Sequence, residues 1–200
     1  MKGTFYVMTN SIYEEKNFFK IGFTQNIIEI KGIHSNSSPI PFYYKVIIFS
    51  DEYELFEKEV KRKIIERGIK QGCGEWINCT FEELLDVIYD VAINVSNEGI
   101  CYNKKRYVFK NNTFKETKLP NCDLKLLGIK DGSKVICKEN NEEFIVKGNG
   151  ILVNDNVLTL STYMNMYHPR TTKTNEHRGQ QYFYYENDII SEIWDSIFNK

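Results

Sequence analysis

Nowhere in these 200 residues does an apolar run approach the roughly 18 residues that cross a bilayer. Met1-Lys2 leads straight into strand-like sequence without an apolar leader. Both absences set the expectation of a cytoplasmic protein with no membrane partner. Cysteine is present but unorganised: Cys73, Cys79, Cys101, Cys122 and Cys137 are odd in number and contain no close CxxC pair. Neither a disulfide framework nor a thiolate zinc site is signalled, and reduced thiols are expected. Histidine is scarce, and His34, His168 and His177 are too dispersed for a metal cluster, so surface or loop positions are expected. Excess charge is missing too: 26 Lys and Arg stand against 27 Asp and Glu, a formal net charge of -1. That balance excludes indiscriminate binding to polyanions but not a local basic face. Lys58, Lys61, Arg62, Lys63 and Arg67 are such a concentration, with a solvated helix face as the plainer alternative. No internal repeat is present.

What the chain does have is enough apolar material for one or two packed domains, 42% hydrophobic against 26% charged residues. Residues 4 to 9 and 18 to 23 read as a strand pair joined by a turn-rich connection, Asn10 to Asn17. A short helix is expected over 25 to 34, then a buried strand from Phe42 to Phe49. Asp51 is a good N-cap for a helix to about residue 67, which carries Glu57 and ends at Gly68. After a turn and short extended piece over Gly72 to Asn78, Thr80 caps a helix with Glu82 and Glu83 in its first turn.

Residues 97 to 122 show no sustained helical period and are assigned as a linker, separating a domain of residues 1–96 from one of residues 123–200. Beyond it the pattern predicts a short helix from Leu124 and strands at about 134 to 139 and 142 to 147. A meander to Leu158 follows, then a helix opening at Thr159 or Ser161 and a basic loop from His168 to Gly179. A strand over Tyr182 to Tyr185 and a final amphipathic helix after Asp188 complete it. The fold class is therefore α/β in the α+β sense: a small three-stranded sheet flanked by helices, plus a second small α+β domain.

Tyr6 within Gly3-Thr4-Phe5-Tyr6-Val7-Met8, then Lys20-Ile21-Gly22-Phe23-Thr24, Pro39, Glu54-Leu55-Phe56-Glu57-Lys58 and Glu75-Trp76 stand in a meaningful order and spacing. Over residues 3 to about 92 this text resembles the GIY-YIG nuclease superfamily, in the phage-type branch whose second motif reads KIG. The resemblance implies DNA phosphodiester hydrolysis. Tyr6 would activate or orient the attacking water, Lys20 would lower the Tyr6 pKa or position that water, and Glu57 would hold Mg²⁺ or Mn²⁺. Gly22 would let backbone or nucleic acid approach closely. The family also places an arginine on the first helix. Here that position falls on Ile30, or on Glu29 with a slip of one, with Lys31 the nearest cation and Arg62 and Arg67 the nearest arginines that could reach the site. An ammonium is a point charge and no equal of a bidentate guanidinium.

Residues 124 to about 195 resemble a RAMA-type domain, a module found beside restriction and methylation enzymes. The carrying text is Leu127-Gly128-Ile129-Lys130-Asp131-Gly132-Ser133, Val146 to Val153, Leu158 to Ser161 and Gly179 to Tyr184. That likeness implies recognition of DNA or of its modified bases. Physically, Arg170, Lys173, His177 and Arg178 beside Tyr182 and Tyr184 combine phosphate-binding charge with stacking surfaces. Lys61 and Arg62 are expected as further nucleic-acid contacts, and a homodimer is left open.

Two functional classes follow: a metal-dependent DNA endonuclease with a DNA-reading module, acting in phage defence, restriction or a mobile element, and a catalytically degenerate version of the same fold that binds DNA or regulates. A protein-interaction role through aromatic surfaces is a third. Each residue has an ordinary alternative as well. Tyr6 and Lys20 suit strand packing, Glu57 suits helix-surface pairs with Lys61, and Trp76 suits a core anchor.

Overall fold

A computed structural model describes residues 3–36, 38–102, 105–118, 122–167 and 179–198. The chain forms two compact units, Met1–Pro120 together with Ile197–Lys200, and Asn121–Ser196, each with its own antiparallel sheet. The α+β class expected from the pattern is observed.

In the first unit, β1 (Gly3–Thr9) pairs with β2 (Phe18–Thr24) on one side and β3 (Tyr43–Ser50) on the other. The connection between β1 and β2, expected as a plain turn, holds a short helix α1 (Ser11–Glu15), because the Asn10 side chain accepts the Tyr13 N–H at 3.0 Å and starts it. Helix α2 (Ile27–Asn36) follows β2, and α3 (Tyr53–Glu66) follows β3. The expected cap of α3 at Asp51 shifts to Glu52, whose N–H is taken by the Ser50 hydroxyl at 2.9 Å. Gly68, at φ +67, lies just past its C-cap as the sequence predicted. Strands β4 (Lys70–Gln71) and β5 (Trp76–Asn78) form the opposite flank of the sheet, and α4 (Phe81–Ala92) opens with the expected Thr80/Glu83 capping box.

The three-stranded sheet expected from the sequence is in fact part of an eight-stranded one. Residues 97 to 122 are not a bare linker but supply β6 (Ile100–Tyr102), β7 (Lys105–Lys110) and β8 (Thr113–Thr117), which continue the sheet beyond β3. The hairpin between β7 and β8 turns on Asn111-Asn112, both at positive φ, which Asn tolerates and a two-residue turn of matching twist requires. The core lies on one sheet face, where Phe5, Val7, Phe19, Ile21, Val46 and Ile48 pack beneath Phe56, Val60 and Ile64 of α3 and Leu84, Val87 and Ile88 of α4.

In the second unit the short helix expected at Leu124 is a single turn, closed by the Ile129 N–H on the Leu124 carbonyl at 2.9 Å, with Gly128 at φ +85. The sheet has the order β12-β11-β10-β9-β13-β14. Its strands are β9 (Lys134–Cys137), shorter than expected, β10 (Glu143–Lys147), β11 (Gly150–Val153), β12 (Asn156–Leu158), β13 (Phe183–Tyr185) and β14 (Asp188–Ile189). Helix α5 (Leu160–Tyr167) sets Tyr163 against Phe144 and Phe183, and α6 (Ile190–Phe198) closes the chain.

All five cysteines are free, and their surroundings differ. Burial pushes the thiols of Cys79 up to about 11 and of Cys101 and Cys122 up to about 12, while Cys73 is exposed. Since the thiolate is the reactive form, one fast-reacting thiol is expected with an aromatic disulfide reagent at pH 8. Substituting Cys73→Ser should remove that phase, and an unchanged fast phase would contradict this ranking.

Candidate active site

Strand alternation decides which side chains can meet. Phe5 and Val7 of β1, Phe19 and Ile21 of β2, and Ile77 of β5 all join the core. Tyr6, Lys20, Gly22 and Trp76 therefore share the other face, with Tyr6 paired in register to Gly22 and Lys20 to Trp76. This register puts Tyr6 and the Lys20-Ile21-Gly22 motif on neighbouring strands, with Tyr6 directly across from Gly22.

Tyr6 is 3% exposed and stands edge-on to Tyr44, with ring centroids 5.6 Å apart. Tyr44 donates its hydroxyl to the Ile27 carbonyl at 2.7 Å, which ties the first turn of α2 to this face. The phenol tip of Tyr6 lies over Gly22. A Cβ at Gly22 would stand 2.7 Å from the Tyr6 Oη and 2.9 Å from Cζ, so only glycine leaves room for the ring in this position.

Burial, then the charge of Glu75, then that of Glu57 raise the Tyr6 pKa above its ordinary value. This corrects the expectation that Lys20 would lower it. The Lys20 ammonium is 3.3 Å from Glu75 Oε2, so its charge is set against a carboxylate rather than presented to the phenol. Tyr6 is thus a neutral phenol, able to donate a hydrogen bond and to orient a water.

Glu57 projects from α3 and is buried, though it is a carboxylate on a helix whose neighbours Phe56 and Val60 belong to the core. Lys61, one helical turn on, reaches its Oε1 at 2.8 Å. The pairing expected as the ordinary alternative for Glu57 is therefore present, and the charge of Glu57 nevertheless reaches Tyr6. Among the described residues no group of three or more His, Cys, Asp or Glu side chains could hold a metal ion. Glu57, paired with Lys61, would give a divalent ion one carboxylate only, and Mg²⁺ there would take its remaining positions from waters and a substrate phosphate.

No arginine occurs in α2, as the sequence foretold, and Lys31 is half-buried there, its backbone beside the Tyr44 hydroxyl. The arginines considered as substitutes are committed to acidic neighbours. Arg62 pairs with Glu59 at 2.8 Å and with Glu66, and Arg67 pairs with Asp90. The basic stripe anticipated on α3 is thus largely neutralised by its own surroundings.

Trp76, expected as a core anchor, is half-buried on the face away from the core, its ring 4.8 Å from Tyr13 and 6.1 Å from Phe42. His34 joins this aromatic group through Phe42 at 5.8 Å, and burial followed by the Lys20 charge lowers its pKa. Sequence reasoning placed no weight on Glu14, which accepts from Tyr43 and from Lys45 at 2.7 Å. Burial would raise the pKa of Glu14, but these hydrogen bonds outweigh it and hold the carboxyl low.

Residues 3–92 match the T5orf172 domain. The match spans Tyr6, Lys20, Gly22, Lys31, Glu57, Lys61 and Glu75, and it stops at the last residue of α4. Strands β6 to β8 and the whole second unit lie beyond the T5orf172 span. No curated protein and no solved structure matches the chain.

In the second unit Tyr182 and Tyr184 are half-buried on either side of the buried Phe183. Arg170, Lys173, His177 and Arg178 fall outside the described residues, as does His168. Among the described residues no helix is long and apolar enough to cross a membrane.

Proposed function

We propose that the first unit is a metal-dependent DNA endonuclease, and that the second unit reads the DNA it acts on. The observation that carries this reading is the gathering of Tyr6, Gly22 and Lys20 on one sheet face within reach of the Glu57 charge. Phosphodiester hydrolysis needs a positioned water and positive charge for oxygens that become more negative. Tyr6, kept neutral, orients the water by donating or accepting a hydrogen bond. Lys20 meets a non-bridging phosphate oxygen when it turns from Glu75, and Gly22 leaves the strand bare for the backbone of the DNA. Glu57 would hold Mg²⁺ or Mn²⁺, which supplies Lewis acidity and counter-charge at the phosphate. Tyr182 and Tyr184, with Arg170, Lys173 and Arg178, are the proposed base and phosphate contacts of the reading unit.

The test is plasmid and phage DNA, modified and unmodified, incubated with purified protein in Mg²⁺, Mn²⁺ or chelator. Cutting that requires the metal is the expected outcome. Gly22→Ala should reduce it about tenfold or more, because the new methyl displaces the Tyr6 hydroxyl and misplacement of a reacting group by about 1 Å can cost up to about 10²-fold. No cutting with either metal would remove the reading.

A second reading, the same fold binding DNA without cutting it, is favoured by one observation: α2 has no arginine, and Arg62 and Arg67 are held by Glu59, Glu66 and Asp90. Salt-sensitive binding without cleavage would select it.

A further inference from the structure

One acidic side chain, that of Glu75, pairs with Lys20 and acts through its charge on Tyr6, though the resemblance gives it no role at the site. Glu75 immediately precedes β5, and its carbonyl accepts the Ile21 N–H at 3.0 Å. Its backbone is therefore locked beside Lys20, whose own partner in the pairing of β2 with β5 is Trp76. From that anchored position the carboxylate reaches the Lys20 ammonium at 3.3 Å. The two ends of the pair are unequally wet. The Lys20 side chain is 16% exposed and that of Glu75 44% exposed.

A lysine stem has four rotatable bonds and no preferred fork geometry, so a mostly buried ammonium needs something fixed to define where it points. A carboxylate on a strand-edge residue whose own carbonyl is bonded to the next strand is such a fixed point. The pair is too exposed at its acidic end to contribute much to stability. Its effect is on place rather than on folding. The same carboxylate is the first charge, ahead of Glu57, felt by the Tyr6 phenol, and it also acts on His34.

We propose that Glu75 is the positioning residue for Lys20: it holds the ammonium on the face of Tyr6 and Gly22, where an incoming phosphate takes it over. This rests on the reading of that face as a phosphodiester site. Glu75 itself touches neither water nor phosphate in this scheme and acts through Lys20.

The experiment is a double-mutant cycle in the full chain, comparing wild type, E75Q, K20M and E75Q/K20M, with E75D as the conservative variant. Cleavage of a DNA duplex in Mg²⁺ gives kcat and KM, and melting gives a separate structural readout. E75Q should lower kcat about tenfold with KM changed less than about twofold, and E75D should recover part of the loss. In the K20M background, E75Q should have no further effect on kcat, the non-additivity expected of residues that act through one another. Equal additive losses in both backgrounds, or a wild-type kcat in E75Q, would overturn the proposal, as would a melting loss that accounts for the whole effect. Should the wild type fail to cut in either metal, the endonuclease reading fails separately, and the same proteins are read by DNA affinity in chelator. There, E75Q should change the affinity when Lys20 is present and not when it is Met. The same change in both backgrounds, or none in either, overturns the role of Glu75.

Discussion

Glu57→Gln is expected to lower metal-dependent cleavage by about 10²- to 10³-fold, the scale of losing one preorganised electrostatic contact at a developing charge, while the protein remains folded. The substitution keeps the shape of a buried side chain on α3 and removes its charge. A neutral amide oxygen is a far weaker ligand for a hard divalent cation than a carboxylate. The cost to the fold should be small. Lys61, the partner at 2.8 Å, is 40% exposed and can turn its ammonium to water when the carboxylate goes, so no charge is left buried and unpaired. Binding to DNA in chelator should be retained or slightly tightened, since a negative charge has left the neighbourhood of the phosphate. Single-turnover cleavage with and without Mg²⁺, beside a binding titration, separates these effects. Cleavage equal to wild type would remove Glu57 from the site.

The first unit was legible in the sequence wherever a local rule applied. Thr80 with Glu83 spells a capping box and Gly68 a helix stop, whereas Phe5, Tyr6 and Val7 are alike apolar and all buried, so only the packing shows that Tyr6 faces away from the core. What escaped was set by partners distant in sequence. Residues 97 to 122 look structureless alone because β6 to β8 gain their order by adding to β3, although Asn111-Asn112 was a readable hairpin signal. Glu75 stood in the matching text without a role, and its meeting with Lys20 depends on a strand pairing 55 positions back. The sign of the Tyr6 shift could not be read from motif spacing. It follows from burial and from two carboxylates, whereas a sequence shows only that a lysine is nearby.

The second unit offers a test of packing that needs no assumption about activity. Gly150→Ala is expected to destabilise this unit by about 2 to 4 kcal/mol, the upper range of overpacking in a filled interior. Gly150 opens β11, and a Cβ built there would lie 2.3 Å from the Leu158 carbonyl oxygen and 2.9 Å from its carbon. Both are backbone atoms, so no side-chain rotation relieves the clash. The neighbouring pair, Ile151 with Leu158, joins β11 to β12, and the strands must part to admit the methyl. Elsewhere a Gly→Ala change at an ordinary backbone conformation would stabilise through the unfolded chain by about 0.4 to 1 kcal/mol; here sterics reverse the sign. The chain carries its own reporters, because its two tryptophans fall one in each unit, Trp76 in the first and Trp194 in the second. In a Trp76→Phe background, the urea midpoint seen by Trp194 should fall by about 1 M or more for Gly150→Ala, given unfolding slopes of about 1 to 3 kcal/mol per M. An unmoved Trp194 midpoint would mean that β11 and β12 can yield at Gly150 without loss, and that the close backbone approach there does not hold the sheet together.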